Sequence, residues 1–311
     1  MKPLRIAIIG FGKIAADQHV PAIRGNDRFE LAATVSRQGN GVDDIPCFKS
    51  HRDLLAAGLD LDAVAITTPP SVRYSIARDC IEAGLHTMLE KPPSTTLSEI
   101  EDLACLAEGR QVTLQTTWHS QHNPAVAAAS ERLAGKQVSA MQVIWHEDVR
   151  KWHPGQEWIF EPGGFGVFDP GINAFSILAR IFPGALFVSE ALLEFPENCQ
   201  APIAAELRFS SPSATGKLSC SLSFRHEGAE AWTIAIETSD GMQLGLSEGG
   251  SVLEVGGEIL PTASAGEYPA LYREFVDLID NRRSLVDVRP LRLVADAFLL
   301  GRRRIVEPFH F

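Results

Sequence analysis

Three observations predict an α/β chain of two domains. Residues 1–119 alternate short apolar runs with helical stretches, the grammar of a parallel sheet wrapped by helices. Residues 120–311 carry runs that look like hairpin-connected strands, which predicts an α+β domain on a largely antiparallel open sheet. The first apolar run also passes at once into a glycine pattern, Gly10-Phe11-Gly12-Lys13-Ile14-Ala15.

Residues 4–9, LRIAII, are apolar on both faces, as a strand covered by helices on both sides must be. Gly10 permits the tight turn out of that strand, Gly12 leaves the backbone bare where a diphosphate would approach, and Ala15 lets the next helix lie close to the sheet. The N–H groups that open this helix, at Lys13 and Ile14, can receive an anion. With βαβ patterns following, the motif predicts a Rossmann dinucleotide-binding domain.

A helix over residues 14–24 leads to a second strand, 31–36. A fold that demands NAD usually ends this strand in Asp or Glu, whereas Ser36-Arg37 stands here. Arg37 can pair with a 2′-phosphate and stack on adenine, and Ser36 can donate to the same phosphate, so NADP is expected, with NAD also used. The competing reading is an exposed loop arginine.

A short helix begins at Asp53, and residues 61–68 form the third strand. Its end, Thr67-Thr68-Pro69, falls on the carboxyl edge of the sheet, where ligands bind in open α/β folds. A helix over 72–83 stops at Gly84. The fourth strand, 86–89, terminates in Glu90-Lys91-Pro92. Thr96 and Glu99 signal a helix start, and the fifth strand, 112–117, runs into Trp118-His119. Domain one is therefore placed at 1–119 and domain two at 120–311. The second has helices over 124–133, 171–181 and 268–281, a last helix opened by Pro290, and strands at 140–145, 203–209, 217–224, 232–238 and 242–246. An open sheet face predicts a homodimer or homotetramer.

Bulk properties exclude several classes. A net charge of −11 over 311 residues offers no basic face to nucleic acid. No uncharged apolar stretch reaches the roughly 18 residues of a membrane span. Lys2 and Arg5 precede an apolar run as in a leader, but Gly10, Gly12 and Lys13 interrupt it too early. Five cysteines without a CxxC predict reduced, mostly buried thiols in a cytoplasmic protein, and no metal site.

Lys91, fixed beside a proline at the strand end facing a nicotinamide, can hydrogen-bond a substrate oxygen and lower the pKa of a hydroxyl. Glycines in 161–171 lead to a helix starting near Gly171, and Asp169 and Asn173, four apart, share a face there. Asp169 is either a catalytic carboxylate or a plain N-cap worth about 1 kcal/mol. Residues 147–158 have the composition of a sugar site, since carboxylate and imidazole groups hold vicinal hydroxyls and an indole packs on the C–H face of a pyranose. Trp152-His153 sits in a polar loop before Pro154-Gly155; Trp145 and Trp158 read as core and His146 as exposed.

Gly10-x-Gly12-x-x-Ala15, Glu90-Lys91-Pro92 and Asp169-x-Gly171-x-Asn173 together resemble the Gfo/Idh/MocA family of NAD(P)-dependent oxidoreductases, over the whole chain. Within it, residues 118–120, 147–156, 169–173 and 291–298 are similar to bacterial aldose 1-dehydrogenases acting on D-galactose and L-arabinose. That resemblance implies oxidation of a monosaccharide at C1 to the lactone. It implies a sugar pocket lined by Lys91, His119, Glu147, Trp152, His153, Asp169, Asn173 and Trp232, and cofactor contacts that include Thr67, Thr68, Pro69, Glu90, Lys91, Trp118 and His119. Many members have His where Asn173 stands, and a neutral amide cannot accept a proton. The duty of base then moves to Asp169 or Lys91; Asp169 is the expected base, with Asn173 holding the hydroxyl and Lys91 stabilising negative charge. Rival readings are another polyol or cyclic substrate, or a sugar sensor that binds dinucleotide without turnover.

Overall fold

The computed structural model describes residues 2–262 and 266–311. The chain forms two compact units, 2–118 with 266–288, and 119–262 with 289–311.

The first unit is built on six parallel strands, β1 Leu4–Ile9, β2 Phe29–Val35, β3 Cys47–Phe48, β4 Ala63–Ile66, β5 His86–Leu89 and β6 Leu114–Thr116. Their order is β3-β2-β1-β4-β5-β6. Chain progress reverses between β1 and β4, which opens a crevice at the carboxyl ends of these two strands. Apolar sequence on both faces has its counterpart in burial: Ile6, Ala7, Ile8 and the whole of β4 are fully enclosed. The helix after β1 starts irregularly, with a π-turn at Ala15–His19 before the α-helix Val20–Arg24. Thr96 caps the helix Leu97–Arg110 in a complete capping box with Glu99.

One helix departs from the domain boundary that the sequence suggests. Glu267–Asp280, read as part of domain two, packs in the first unit. Tyr268, Leu271, Tyr272 and Phe275 join Ile6, Ile8, Ile23 and Phe29 in one core, and Arg28 clasps Asp280 through two 2.8 Å bonds. Residues 284–287 continue along the β6 edge, where Leu285 exchanges backbone hydrogen bonds with Leu114 and Thr116 at 2.9 Å. An amphipathic helix states that it has a face to bury, not which core receives it.

The second unit is a nine-stranded sheet. Its strands are β7 Val138–His146, β8 Phe187–Pro196, β9 Ala204–Ser210, β10 Leu218–Ser223, β11 Ala231–Thr238, β12 Gln243–Ser247, β13 Val252–Val255, β14 Glu258–Leu260 and β15 Arg302–Val306. The order is β14-β13-β12-β11-β7-β10-β9-β8-β15, antiparallel except for β7–β10 and β8–β15. The sheet is mixed and mostly antiparallel. Four of these strands, β8, β13, β14 and β15, are absent from the sequence reading. The run SEALLEF in β8 is rich in helix formers and becomes a strand through pairing with β9, while β15 is an exposed arginine-rich edge.

The helix Phe168–Ile181 covers one face of this sheet. Gly171 makes that possible, since a Cβ there would stand 2.6 Å from Leu222 of β10. This helix begins three residues before the expected start at Gly171, and the last helix, Arg289–Leu300, carries Pro290 second rather than first. The opposite face is polar and open, with a depression of about 410 Å³ between Gln142, Glu206, Arg208, Ser219 and Ser221. His146 lies on it half-buried, not exposed, and its Nε2 meets the Ser221 hydroxyl at 2.9 Å. Of the five thiols, Cys47 and Cys105 are exposed, which departs from the mostly buried set expected. Among the described residues no helix is long and apolar enough to cross a membrane.

Candidate active site

In the first unit the expected cofactor residues collect at the carboxyl ends of neighbouring strands. Gly10 leaves β1 at φ +102°, and a Cβ there would lie 2.7 Å from the backbone and side chain of Thr68. The hydroxyl of Thr67 donates to the Gly10 carbonyl at 2.6 Å, which locks the turn after β4 to the turn after β1. Gly12 differs. A Cβ at that position would meet no protein atom within 4 Å, so nothing in the packing demands glycine there. The bare backbone at the mouth of the crevice fits a dinucleotide's diphosphate, which needs the room a side chain would take. Lys13 and Ile14 follow on the surface, with Lys13 paired to Asp17. Ser36, just after β2, is buried, and Arg37 beside it is exposed. Pro69 precedes the helix Pro70–Glu82.

Glu90 is buried at the end of β5, and its carboxylate is heavily engaged. Oε1 accepts from the Tyr268 hydroxyl at 2.7 Å and lies 3.3 Å from His19 Nε2, while Oε2 accepts the Lys91 backbone N–H at 2.7 Å. His19 in turn meets the Tyr272 hydroxyl at 2.8 Å through Nδ1. A neutral imidazole protonated on Nε2 satisfies both contacts. Burial, then the Glu90 carboxylate, pushes both tyrosines well above their ordinary range, so they remain protonated donors. Arg73 adds a second tie, donating to the carbonyls of Thr68, Glu90 and Pro92 and so joining the ends of β4 and β5. Lys91 thus stands on a backbone fixed from two sides. This network and Arg73 were not legible in the sequence, because partners as far as 253 residues apart in the chain meet only in the folded protein. Trp118 is buried and donates its indole N–H to the Asp287 carbonyl at 2.9 Å.

The second unit brings most of the expected sugar-site residues into one line of contacts. Glu147, buried just after β7, accepts from Trp232 Nε1 at 2.9 Å. The Trp232 ring meets Trp152 at 5.7 Å and, across the strand pair, Trp145 at 6.2 Å. Trp152 closes the short helix Val149–Trp152, capped by Asp148, and His153 follows it. His153 Nε2 lies 3.3 Å from Asp169 Oδ2. Asp169 is only 4% exposed and lies inside the first turn of Phe168–Ile181, whose N-cap is Val167. The plain N-cap alternative is thereby removed. Asn173 stands one turn further on the same helix, half-buried. His119 opens a 3-10 turn, His119–His122, that the Gln121 amide ties to Ser176 of that helix at 3.0 Å. Trp145 is core, and Trp158 is half-buried against Gln156. Glu230, which no motif marks, accepts from both Lys151 and Trp152.

The model of the GFO_IDH_MocA oxidoreductases, an oxidoreductase family with an NAD-binding Rossmann fold, matches residues 4–118. Over 310 residues, 100% of both chains, the sequence is 43% identical to the galactose 1-dehydrogenase of Pseudomonas fluorescens. The chain belongs to the Gfo/Idh/MocA family. This oxidoreductase also matches the crystal structure of a D-galactose 1-dehydrogenase protein from Rhizobium etli, with TM-score 0.93, 46% identity and coverage of 100% and 99% of the two chains. Its likeness to a point mutant of KijD10, a 3-ketoreductase from Actinomadura kijaniata in complex with TDP-benzene and NADP, is one of fold: TM-score 0.83 at 16% identity, covering 98% and 99%.

Proposed function

We propose that this family member is an aldose 1-dehydrogenase that oxidises D-galactose and L-arabinose at C1 to the lactone, using NADP or NAD. The observation that carries the reading is the contact line Glu147, Trp232, Trp152, His153, Asp169, which ranges hydroxyl-binding carboxylates and indole faces beside one buried carboxylate paired with an imidazole. Full-length likeness to two galactose 1-dehydrogenases supports it.

In this reading Asp169 takes the proton of the anomeric hydroxyl, which is more acidic than an ordinary alcohol. The His153 ring N–H holds the Asp169 carboxylate in place, and the Asn173 amide holds the hydroxyl. Lys91 supplies positive charge as negative charge develops on the oxygen. A bound nicotinamide dinucleotide supplies the hydride acceptor at its C4. Gly10, Gly12, Lys13, Ile14, Thr67, Thr68 and Pro69 would cradle that dinucleotide, and Ser36 and Arg37 would take the 2′-phosphate.

L-arabinopyranose matches D-galactopyranose from C1 to C4 and lacks only the exocyclic hydroxymethyl group. A pocket that leaves the hydroxyl of that group without a hydrogen bond separates the two sugars by only about 10–200-fold, so turnover of both is expected. The open face of the second sheet is proposed to pair with a second copy, giving a homodimer or tetramer that sedimentation would detect.

The test is a panel of aldoses assayed with NADP and with NAD, following absorbance of the reduced nicotinamide. Turnover of D-galactose and L-arabinose is expected, and Arg37→Ala should raise KM for NADP far more than for NAD. Turnover confined to inositols or amino sugars would replace the substrate assignment. Dinucleotide binding with no turnover of any sugar would make the protein a sensor.

A further inference from the structure

Trp152 poses a physical question. It is a large indole on a short surface helix, still 44% exposed, yet both of its ends are held. Its Nε1 donates to Glu230 Oε1 at 2.7 Å, and its ring rests on Trp232 at 5.7 Å with the planes tilted by 52°. Glu230 stands two residues before Trp232, so at strand spacing the two side chains project from the same face. The same carboxylate oxygen accepts from Lys151 at 2.6 Å, and Lys151 also lies over the Trp152 ring at 5.1 Å.

The surrounding backbone is clipped to match. Arg150 bridges Asp148 at 2.9 Å and Glu227 at 2.7 Å, the Val149 N–H donates to the Phe224 carbonyl, and the His226 N–H donates to the Glu147 carbonyl. With the Lys151 side chain 61% exposed, its ion pair with Glu230 stabilises little, whereas an indole N–H bond to a carboxylate is charge-assisted and directional. Glu230 therefore acts chiefly on the indole.

We propose that Glu230 is a specificity-determining positioning residue, which holds Trp152 against Trp232 as a fixed wall for the C–H face of the sugar and so selects pyranoses of galacto configuration. The inference rests on the aldose reading above. In the galacto configuration the C4 hydroxyl is axial, and the ring hydrogens at C3, C4 and C5 form one apolar patch on a single face. The gluco configuration divides them between two faces. A fixed indole distinguishes the two arrangements, and a swinging one does not.

The experiment compares Glu230→Ala and Glu230→Gln with the wild type on D-galactose and D-glucose. Glu230→Ala should raise KM for D-galactose roughly tenfold and narrow the galactose-to-glucose ratio of kcat/KM by a similar factor, with kcat and the dinucleotide KM within about twofold. Glu230→Gln keeps an acceptor for the indole N–H and should restore both. Unchanged KM and preference in Glu230→Ala would overturn the proposal, as would a glutamine variant as impaired as the alanine one. A second readout is acrylamide quenching of the Trp152 emission, taken by difference from Trp152→Phe. It should rise in Glu230→Ala and not in Glu230→Gln, and equal quenching would overturn the proposal. If the wild type turns over no aldose, the functional reading fails, and the quenching still decides whether Glu230 holds the indole.

Discussion

In the first unit every candidate residue from Gly10 to Lys91 stands at or just beyond the carboxyl end of a parallel strand, and one turn locks the next, as Thr67 locks Gly10. In the second unit the candidates come from a strand end (Glu147), a short helix and the residue after it (Trp152, His153), a long helix (Asp169, Asn173) and β11, four strands further along the chain than β7 and its neighbour in the sheet (Trp232). The first arrangement is dictated locally by turns that only certain residues permit. The second exists only once a mixed sheet and its covering helix have assembled. Local geometry suits a site for a cofactor common to many enzymes, and an assembled one suits a site where substrates must be told apart.

Asp169→Asn gives the largest effect that would sharpen this contrast. It preserves shape and removes the proposed proton acceptor, so kcat should fall by roughly 10²–10⁴ while dinucleotide affinity stays near wild type. Loss of dinucleotide binding instead would break the division of labour between the units.

The two glycines of the first turn should then separate. Gly10→Ala forces a side chain onto a φ of +102° and to within 2.7 Å of Thr68, and should cost about 1–3 kcal/mol in denaturant unfolding. Gly12→Val meets no protein atom within 4 Å of its Cβ, so Tm should not change, yet dinucleotide affinity should drop about tenfold or more. Equal stability losses for both would mean that Gly12 serves the fold and not the cofactor.

The smallest effect belongs to the open face of the second sheet. Burial, then the neighbouring His226, holds the His146 imidazole below its ordinary 6.5, against the pull of Glu206. The unfolded chain then binds the proton more readily than the folded one. His146 therefore contributes its full stability above pH 6.5 and loses it as pH falls through the folded value. Tm measured from pH 7.5 downward should decline less steeply in His146→Asn than in the wild type, and parallel curves would remove this residue from the acid response.

Legibility in the sequence follows the same division. The strand–Gly10–Gly12–Ala15 turn, the Thr96–Glu99 capping box and the Glu90-Lys91-Pro92 end are short-range signals, and the elements they mark stand where the sequence puts them. The helix Glu267–Asp280 carries an apolar stripe but no statement of its destination, so its Tyr268 and Tyr272 could not be read as partners of Glu90 and His19. Strand β8 is written in helix-forming residues and is decided by its neighbour. Glu230 lacks any motif, because its meaning depends on Trp152, 78 residues earlier.

The most direct measurement uses D-galactose deuterated at C1, incubated with the enzyme and NADP, with the reduced dinucleotide and the sugar product examined by mass spectrometry. The account predicts one deuterium on the dinucleotide and a deuterium-free lactone. Retention of the label in the sugar product, with unlabelled reduced dinucleotide, would mean that hydride leaves another carbon and would contradict it.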